Sequence, residues 1–301
     1  MPANQQSRWA STRFREALWG YLFITPSMLG VLAFNLFPVL AALGISFTNW
    51  NLITPPEFAS LSNYRILMSH PTFGRSLLNT LYYTAGSVPL KLILSLALAG
   101  ALNQRIRGIA VYRTAYFMPV VSSMVAVGLI WSWLYDTNYG LINVILVKMH
   151  LSPVGWLTTT EWAMPAVIIT SVWQSLGFSM IIFLAALQDI PKALYEAAKI
   201  DGADSWQLFR HVTLPLVTPA IFFALVMDLI GSLQAFGQFY IMTEGGPAKA
   251  TTVIVFHIWQ NAFEFFRMGY ASAMAVVLFL LILAGTIIQW RIRRRWVFGE
   301  M

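Results

Sequence analysis

Residues 188–215 read QDIPKALYEAAKIDGADSWQLFRHVTLP, a polar stretch between two long apolar runs. Consecutive membrane spans need only a short turn between them, yet this stretch is long, charged and rich in helix formers. Pro191 stands where a helix can begin, and Asp201-Gly202 can end it, because glycine tolerates the left-handed conformation after a helix. Asp204 or Ser205 can cap a second helix. The stretch therefore predicts two short helices on a membrane surface.

The composition indicates a polytopic membrane protein. Of the 301 residues 58% are hydrophobic and 10% charged, whereas soluble proteins carry roughly 25% charged residues. Basic residues flank the apolar runs, so the net charge of +7 is explained by membrane topology, and we expect no nucleic-acid partner. The absence of cysteine excludes a disulfide framework and a thiolate metal site.

The apolar runs predict an all-α membrane protein with six transmembrane helices. Each run approaches or exceeds the roughly 20 residues that cross a bilayer, and the first is too long for the apolar region of a signal peptide. Residues 1–17 and 291–301 are expected to be tails around one membrane domain, 18–290, with no separate soluble domain. The predicted spans are Leu18–Phe47 (kinked or broken by Pro26 and Pro38), Leu77–Leu102, Thr114–Leu134, Met164–Leu187, Leu214–Met242 and Met268–Trp290.

Lysine and arginine positions predict the orientation. Both tails, the loop after the second span and the polar stretch alternate onto one side and hold 13 of the 19 basic residues; the opposite loops hold five. Because cytoplasmic loops are enriched in basic residues, both termini and the polar stretch are predicted to be cytoplasmic. The 13 residues are Arg8, Arg13, Arg15, Arg105, Arg107, Arg113, Lys192, Lys199, Arg210, Arg291, Arg293, Arg294 and Arg295.

The opposite loops are rich in aromatic residues, among them Trp50, Trp156, Trp162 and Trp259. An interfacial aromatic belt is the favoured interpretation; a carbohydrate-stacking surface is the alternative.

Polar residues also occur inside the predicted spans. Asp228 lies midway along the fifth span with Ser232 one turn later, and Ser171, Gln174, Ser175 and Phe178 recur at helical spacing on the fourth. Such residues either form helix-packing surfaces or face a cavity or partner. Lys91 in the second span can reach a cavity or a partner's carboxylate, although a snorkelling or structural lysine is the favoured interpretation.

The sequence has no phosphate-binding G-x-x-x-x-G-K-[ST] motif, so any ATP must bind another chain. The sequence also lacks a recognisable set of catalytic residues, which argues against an enzyme. The histidines are scattered and do not have a metal-ligand spacing.

Glu196-Ala197-Ala198, Asp201-Gly202-Ala203 and Thr213-Leu214-Pro215 resemble the EAA loop of ABC-importer permeases. From about Tyr21 to Trp290 the chain also resembles the carbohydrate-uptake permeases. Within that group it is most similar to the subunit related to the larger maltose permease protein. One departure is Ser60-Leu61, where a Gly-Leu opening is expected before Asn63-Tyr64. The other landmarks are Tyr21–Ser27, Asn79-Thr80, Arg113-Thr114, Met118-Pro119, Trp156-Leu157, Val172-Trp173 and Thr243–Pro247.

The resemblance implies a type I ABC-importer permease fold in a bacterial or archaeal cytoplasmic membrane. It implies that the loop over residues 192–211 couples the chain to an ATPase. The coupling residues would be Tyr195, Glu196, Ala197, Ala198, Asp201, Gly202 and Ala203. The implied substrate contacts are Ser171, Gln174, Ser175, Phe178, Asp228, Ser232 and Ala235.

The implied partners are a second, homologous permease, two ATP-binding subunits that hold ATP and Mg²⁺, an extracytoplasmic sugar-binding protein and membrane lipid. No cofactor is expected on this chain. A neutral sugar is the expected substrate, because a buried Asp228 would disfavour an anion. The alternatives are a permease for glycerol-3-phosphate or another polar solute, an ion-coupled secondary transporter and, least favoured, a membrane-embedded enzyme.

Overall fold

The computed structural model describes residues 4–104, 107–293 and 296–297, with side chains from residue 14 onward. Some of the basic residues used in the charge count lie outside that description. They are Arg105, Arg294 and Arg295, together with the side chains of Arg8 and Arg13. The regular elements within these ranges are helices, which confirms the all-α prediction.

Fourteen α-helices follow one another in the described part of the chain, with π-helical turns at Leu32–Leu36, Phe209–Thr213 and Gln260–Glu264. Five helical stretches of the described chain are long and apolar enough to cross a membrane, and there are six if the bent pair Ile109–Val121 and Met124–Leu134 counts as one span. The helices are α1 Asn4–Val31, α2 Phe37–Ile45, α3 Ser62–Ser69, α4 Pro71–Leu102, α5 Ile109–Val121, α6 Met124–Leu134, α7 Leu141–Lys148, α8 Ala163–Asp189, α9 Lys192–Ile200, α10 Ser205–Leu208, α11 Leu214–Leu233, α12 Gly237–Met242, α13 Ile254–Trp259 and α14 Met268–Arg293.

The first span is longer and less interrupted than the sequence predicts. Helix α1 begins at Asn4, inside the expected tail, and contains Pro26 without a break. The irregularity falls at the π-helical turn before Pro38, where the Phe37 N–H donates to the Leu32 carbonyl. Proline lacks an amide donor and crowds the preceding turn, so a widened turn accommodates it while the chain stays helical.

The third and fifth spans are not the straight helices that the apolar runs predict. Helices α5 and α6 meet at an angle of 99°, because Ser122 and Ser123 both have extended ψ angles. Helix α11 ends at Leu233 rather than Met242, and the chain resumes as the short α12. Hydropathy detects neither break, since the residues on both sides are apolar.

Helix α8 is the centre of the fold, and α4, α5 and α11 pack around it. Of its most apolar window 61% is buried, compared with none of the corresponding window of the first span, Phe14–Ile45. Gly177 lets α5 cross α8 closely, because a Cβ atom at this position would meet the Tyr116 carbonyl. Small residues at such crossings are typical of membrane helix packing. The fold therefore brings one face each of α4, α8 and α11 together.

Candidate functional site

A cavity of about 480 Å³ lies between α4, α8 and α11 and the turn that follows α11. This volume falls within the range of about 300–1,000 Å³ typical of small-molecule sites. Its walls combine hydroxyl, amide and charged groups with aromatic rings. The lining residues are Tyr83, Ser87, Val88, Lys91, Ser171, Val172, Ser175, Phe178, Met227, Asp228, Gly231, Ser232, Gln234, Ala235, Phe236, Gly237 and Gln238.

Six of the seven substrate-contact residues expected from the sequence line this cavity: Ser171, Ser175, Phe178, Asp228, Ser232 and Ala235. Gln174 does not. Its amide nitrogen lies 3.5 Å from the Ser122 carbonyl at the bend between α5 and α6. Its position on α8 therefore directs it toward the broken third span.

An ion pair inside the membrane region forms part of the cavity wall. Lys91 Nζ donates to Asp228 Oδ1 at 2.7 Å, with the two side chains 12% and 6% exposed. Ser179 Oγ, on the buried face of α8, lies 3.3 Å from Asp228 Oδ2. The carboxylate on α11 is thus held by α4 and α8, and neither charge is left alone in a low-dielectric environment.

This pair corrects two expectations. Lys91 reaches the cavity, as one interpretation of the sequence allowed, and does not snorkel. Its ammonium group pairs with a carboxylate of the same chain rather than with one on a partner subunit. Asp228 does not present an uncompensated negative charge, so like-charge repulsion does not by itself exclude an anionic substrate. The sequence separation of 137 residues explains why neither partner could be assigned from local spacing.

The cavity serines are already committed as donors within their own helices. Ser171 Oγ donates to the Val167 carbonyl at 2.8 Å and Ser175 Oγ to the Ser171 carbonyl at 2.7 Å. Ser87 and Ser232 make equivalent bonds within α4 and α11. A hydroxyl oxygen that donates in this way still has lone pairs to accept. The serines therefore present acceptors, whereas Lys91 and two glutamine amides supply donors.

Sequence reasoning missed the α4 wall of the cavity. Tyr83, Ser87 and Lys91 all line it and stand four residues apart, the spacing that places side chains on one face of a helix. That polar row in an apolar span was the available signal. The amides of Gln234 and Gln238 complete the wall after α11.

The polar stretch forms the predicted helix pair. Helix α9 ends in a Schellman motif: Gly202 has φ +84°, its N–H donates to Lys199, and the Ala203 N–H donates to Ala198. Asp204 then caps α10 in a capping box, exchanging 2.8 Å bonds with Gln207. Both motifs satisfy backbone groups at helix ends, so the turn between α9 and α10 is specified locally.

One face of α9 packs on the membrane domain and the other is exposed. Tyr195 and Ala198 are partly buried, and the Tyr195 hydroxyl lies 3.0 Å from Thr213 Oγ1. Two apolar residues of the same helix, Leu194 and Ile200, are 43% and 87% exposed. These apolar residues stay exposed because α9 contacts the rest of the described chain only along the narrow face that carries Tyr195 and Ala198.

The polar stretch is continuous with the cavity. From Ser205 the chain runs through α10, a π-helical turn and α11 as one 29-residue helical stretch that ends at Leu233. This stretch carries Asp228 and Ser232, which line the cavity. A displacement of α9 and α10 can therefore act on one cavity wall through a single helical rod.

Asparagine side chains secure the loops on the opposite side. Asn63 Nδ2 donates to the Ser46 and Thr48 carbonyls, both at 2.9 Å. Asn79 Nδ2 donates to the carbonyls of Lys249 and Thr252, both at 3.0 Å. The sequence landmarks at these two asparagines thus correspond to loop anchors.

Helical spans around a cavity, with an exposed helix pair attached to one wall, form the architecture of a multi-pass membrane transport subunit. The chain belongs to the family of binding-protein-dependent transport system inner membrane components, whose sequence model matches residues 58–297. It is therefore a component of a binding-protein-dependent transport system, and members of this family are transport subunits rather than enzymes.

Several relatives match almost the whole chain. The probable ABC transporter permease protein YesP of Bacillus subtilis is 38% identical, over 95% of this chain and 94% of that protein. The trehalose/maltose transport system permease protein MalF of Thermococcus litoralis is 36% identical, over 94% and 96%. The lactose transport system permease protein LacF of Rhizobium radiobacter is 34% identical, over 90% and 92%.

The fold agrees with solved transporters. A chain of a bacterial ABC transporter involved in the import of the acidic polysaccharide alginate superposes with a TM-score of 0.80 and 26% identity, covering 95% of this chain and 99% of that one. A second alginate transporter structure, with an alginate pentasaccharide-bound periplasmic protein, gives a TM-score of 0.85 at 24% identity and covers 96% and 99%. These likenesses confirm the type I importer permease fold.

Proposed function

We propose that this chain is one permease subunit of an ATP-driven, binding-protein-dependent importer of a neutral sugar. The observation that carries the proposal is the cavity between α4, α8 and α11, whose wall is built on the same helical rod as the exposed α9–α10 pair. The cavity would bind the solute, and α9 with α10 would transmit the movement of a separate ATPase.

The chemistry of the cavity favours a polyhydroxylated, uncharged solute. Its charged groups, Lys91 and Asp228, neutralise each other, so it has no surplus positive charge to attract a phosphate or carboxylate. Serine acceptors and amide donors match sugar hydroxyls, which both donate and accept. Phe178, 41% exposed, offers a ring face for the apolar side of a pyranose. A glycerol-3-phosphate permease, the nearest alternative, would need a net positive wall.

The relatives support the same substrate class. The names of those compared above specify trehalose or maltose for one and lactose for another. A further relative is the arabinooligosaccharides transport system permease protein AraP of Bacillus subtilis, 32% identical over 95% of this chain. The alginate importers carry an acidic polysaccharide, so the fold itself admits charged sugars, and the balanced ion pair is what favours a neutral one here.

A separate ATPase is proposed as the motor, and ATP and Mg²⁺ would bind there. The sequence lacks a phosphate-binding loop, whereas α9 and α10 present exposed apolar side chains at Ile200 and Trp206, 87% and 64% exposed. Apolar side chains at the centre of a polar surface are typical of a protein interface. The coupling residues Tyr195–Ala198 and Asp201–Ala203 form this helix and its C-terminal turn.

A second, homologous permease is proposed to complete the pathway. The most apolar part of the first span, Phe14–Ile45, has no buried residues. Phe178 and Met227, on the rim of the cavity, are 41% and 46% exposed. The cavity in one chain is therefore open at the side, where a partner would close it. With both termini cytoplasmic, as the basic residues indicate, the opposite loops would meet the extracytoplasmic binding protein.

The test is the ATPase activity of the assembled complex, reconstituted with both permeases, two ATPase subunits and a panel of binding proteins loaded with sugars. We expect stimulation by binding proteins carrying neutral sugars and none by those carrying sugar phosphates. Failure of the chain to co-purify with an ATPase subunit would contradict the proposal and favour an ion-coupled transporter. Stimulation by sugar phosphates alone would favour the glycerol-3-phosphate alternative.

A further inference from the structure

Helix α9 is attached to the membrane helices by a contact that lies apart from the turn that follows it. The Tyr195 hydroxyl lies 3.0 Å from Thr213 Oγ1, and the two residues are 18 positions apart in the sequence. Among the described residues, Tyr195 is the only side chain of α9 that hydrogen-bonds to another segment. Its ring packs beside buried residues of α8 and α11, among them Leu187 and Val217. The contact therefore ties α9 directly to the helical rod that leads to the cavity.

The bonds of Thr213 determine which hydroxyl donates in this contact. Thr213 Oγ1 donates to the Leu208 carbonyl at 3.3 Å. A threonine hydroxyl has one proton and two lone pairs, so the same oxygen accepts from the Tyr195 hydroxyl. The bonds form a chain from Tyr195 through Thr213 to Leu208, and the middle member needs its hydroxyl for both of them.

Thr213 is also the last residue of the π-helical turn Phe209–Thr213, which lies between α10 and α11. Across this turn the Leu214 N–H donates to the Phe209 carbonyl, and Pro215 follows as the second residue of α11. Proline lacks an amide donor and crowds the carbonyl four residues earlier, which explains the wider turn at this position. Helices bend at π-helical turns, so this turn is the point at which the rod can yield.

Two separate connections hold α9 to the rod. The first is the turn between α9 and α10, whose Schellman motif and capping box are specified locally. The second is the Tyr195–Thr213 bond, which meets the rod beyond α10, at the end of the π-helical turn. Helices joined at one point can pivot about it, whereas helices held at two points move as one body. The second connection thus bridges the segment of the rod that would otherwise bend.

We propose that Thr213, acting through Tyr195, is a positioning residue that transmits movement of α9 to α11 and so to the wall of the solute cavity. The inference rests on the proposed function, since it needs an ATPase that moves α9. With the Thr213 hydroxyl in place, α9, α10 and α11 move together and displace Asp228 and Ser232 in the cavity wall. Without it the π-helical turn bends, and part of the movement is lost before it reaches the cavity.

The test compares Thr213→Val and Tyr195→Phe, which each remove one hydroxyl and nearly keep the shape of the side chain, with Thr286→Val. Thr286 donates to the Ile282 carbonyl within α14 and is the matched control. The complete complex is reconstituted in proteoliposomes, with the labelled neutral sugar that stimulates the wild type most as the probe. Sugar accumulated and ATP hydrolysed are measured in the same samples.

We expect the sugar accumulated per ATP hydrolysed to fall about fivefold in both variants, the factor that corresponds to one ordinary hydrogen bond. Thr286→Val should keep the wild-type ratio. Thr213→Ser retains the hydroxyl and should restore the ratio. The double variant of Thr213→Val and Tyr195→Phe should lose no more than either single variant, because both substitutions break the same chain of bonds.

An unchanged ratio in Thr213→Val, or a loss that Thr213→Ser does not restore, would overturn the inference. The proposed function would then still stand, because the wild-type complex couples ATP hydrolysis to uptake. Equal falls in uptake and ATP hydrolysis would also overturn it, by showing that the bond only stabilises the fold. So would loss of the ATPase subunit from purified Tyr195→Phe, which would place this hydroxyl in the contact with the ATPase. If the wild-type complex accumulates no sugar with ATP, the proposed function itself fails.

Discussion

At the scale of single residues, the Lys91–Asp228 pair has the largest energetic consequence. A buried ion pair contributes little net stability compared with apolar side chains, but removing one partner leaves an unpaired charge that costs about 3–5 kcal/mol. Here the remaining charge would stand in the wall of the solute cavity. The pair therefore determines both the electrostatic balance of the cavity and the relative position of α4 and α11.

We expect Asp228→Ala and Lys91→Ala each to reduce sugar uptake at least tenfold, because each leaves one membrane-buried charge unpaired. The double variant Lys91→Ala with Asp228→Ala should recover part of the loss, since it contains no isolated charge. Uptake of labelled sugar by cells or proteoliposomes measures both the rate and the half-saturating concentration. Ser179→Ala removes only a 3.3 Å hydrogen bond and serves as the mild control. Unchanged affinity and rate in Asp228→Ala would contradict the role assigned to the pair.

Ser60 explains the departure from the family pattern at the loop before α3. Its φ angle is +52°, a conformation that costs about 1–2 kcal/mol for residues other than glycine. The glycine expected at this position from the resemblance would adopt it without strain. The substitution therefore changes the backbone energy and not the fold, since Asn63 still anchors the loop.

Ser60→Gly should raise the midpoint of thermal unfolding by about 2 °C, because it relieves this backbone strain. The midpoint can be followed by differential scanning fluorimetry of the purified protein. Ser62→Gly, at the first position of α3, is the control and should lower the midpoint, since glycine weakens a helix. An equal shift for both variants would show that the φ angle is not the cause.

At the scale of secondary-structure elements, α9 and α10 were the part best predicted from sequence. Their limits depend on local chemistry, namely proline before the helix, glycine after it, and the Asp204–Gln207 capping box. Such signals act within a few residues and can be read from the chain. The bend between α5 and α6 and the early end of α11 could not, because contacts between distant segments, such as the packing of α6 against α12, accompany them.

Gly202→Val should abolish coupling while the protein still inserts and assembles. A β-branched residue is a strong outlier at φ +84°, so the Schellman turn would rearrange and α9 would change direction. We expect binding-protein-stimulated ATPase activity and uptake to fall at least tenfold. Gly100→Val is the control, because Gly100 lies on an exposed face of α4 with no atom near the added side chain. Normal uptake in Gly202→Val would show that this turn does not transmit the ATPase movement.

At the scale of the whole molecule, two features bear on the proposed second permease. Helix α8 is buried among its neighbours, whereas the first span contributes no buried residues in its apolar window and the solute cavity is open at one side. A lipid-facing helix alone would show the first feature but not the second. The proposed second permease would account for both features.

The absence of cysteine makes cross-linking a direct test of that neighbour. A single cysteine at the exposed Phe23 of α1, 76% exposed, should form cross-links with cysteines introduced along one face of the second permease. Ala99→Cys, at a fully buried position, should form none. If Phe23→Cys reacts only with lipid-soluble reagents and never cross-links, α1 faces lipid and the partner contacts another surface.

The sequence predicted the number of spans and most of the cavity residues on α8 and α11, because periodicity and hydropathy act along the chain. It could not predict that Lys91 and Asp228 pair across 137 residues. The row of Tyr83, Ser87 and Lys91 on α4 did signal a third wall, but it was not recognised. Gln174 was assigned to the cavity by position in the family, yet the bend near Ser122 draws it elsewhere. Contacts between distant segments thus account for the rest of what was missed.

The most direct test of the account is solute accumulation in proteoliposomes that contain the complete complex, with binding protein and labelled neutral sugar outside and ATP inside. We predict accumulation that requires both ATP hydrolysis and the binding protein, and that is unaffected when proton and sodium gradients are collapsed. Accumulation that follows an imposed ion gradient, and continues without ATP or binding protein, would contradict the account.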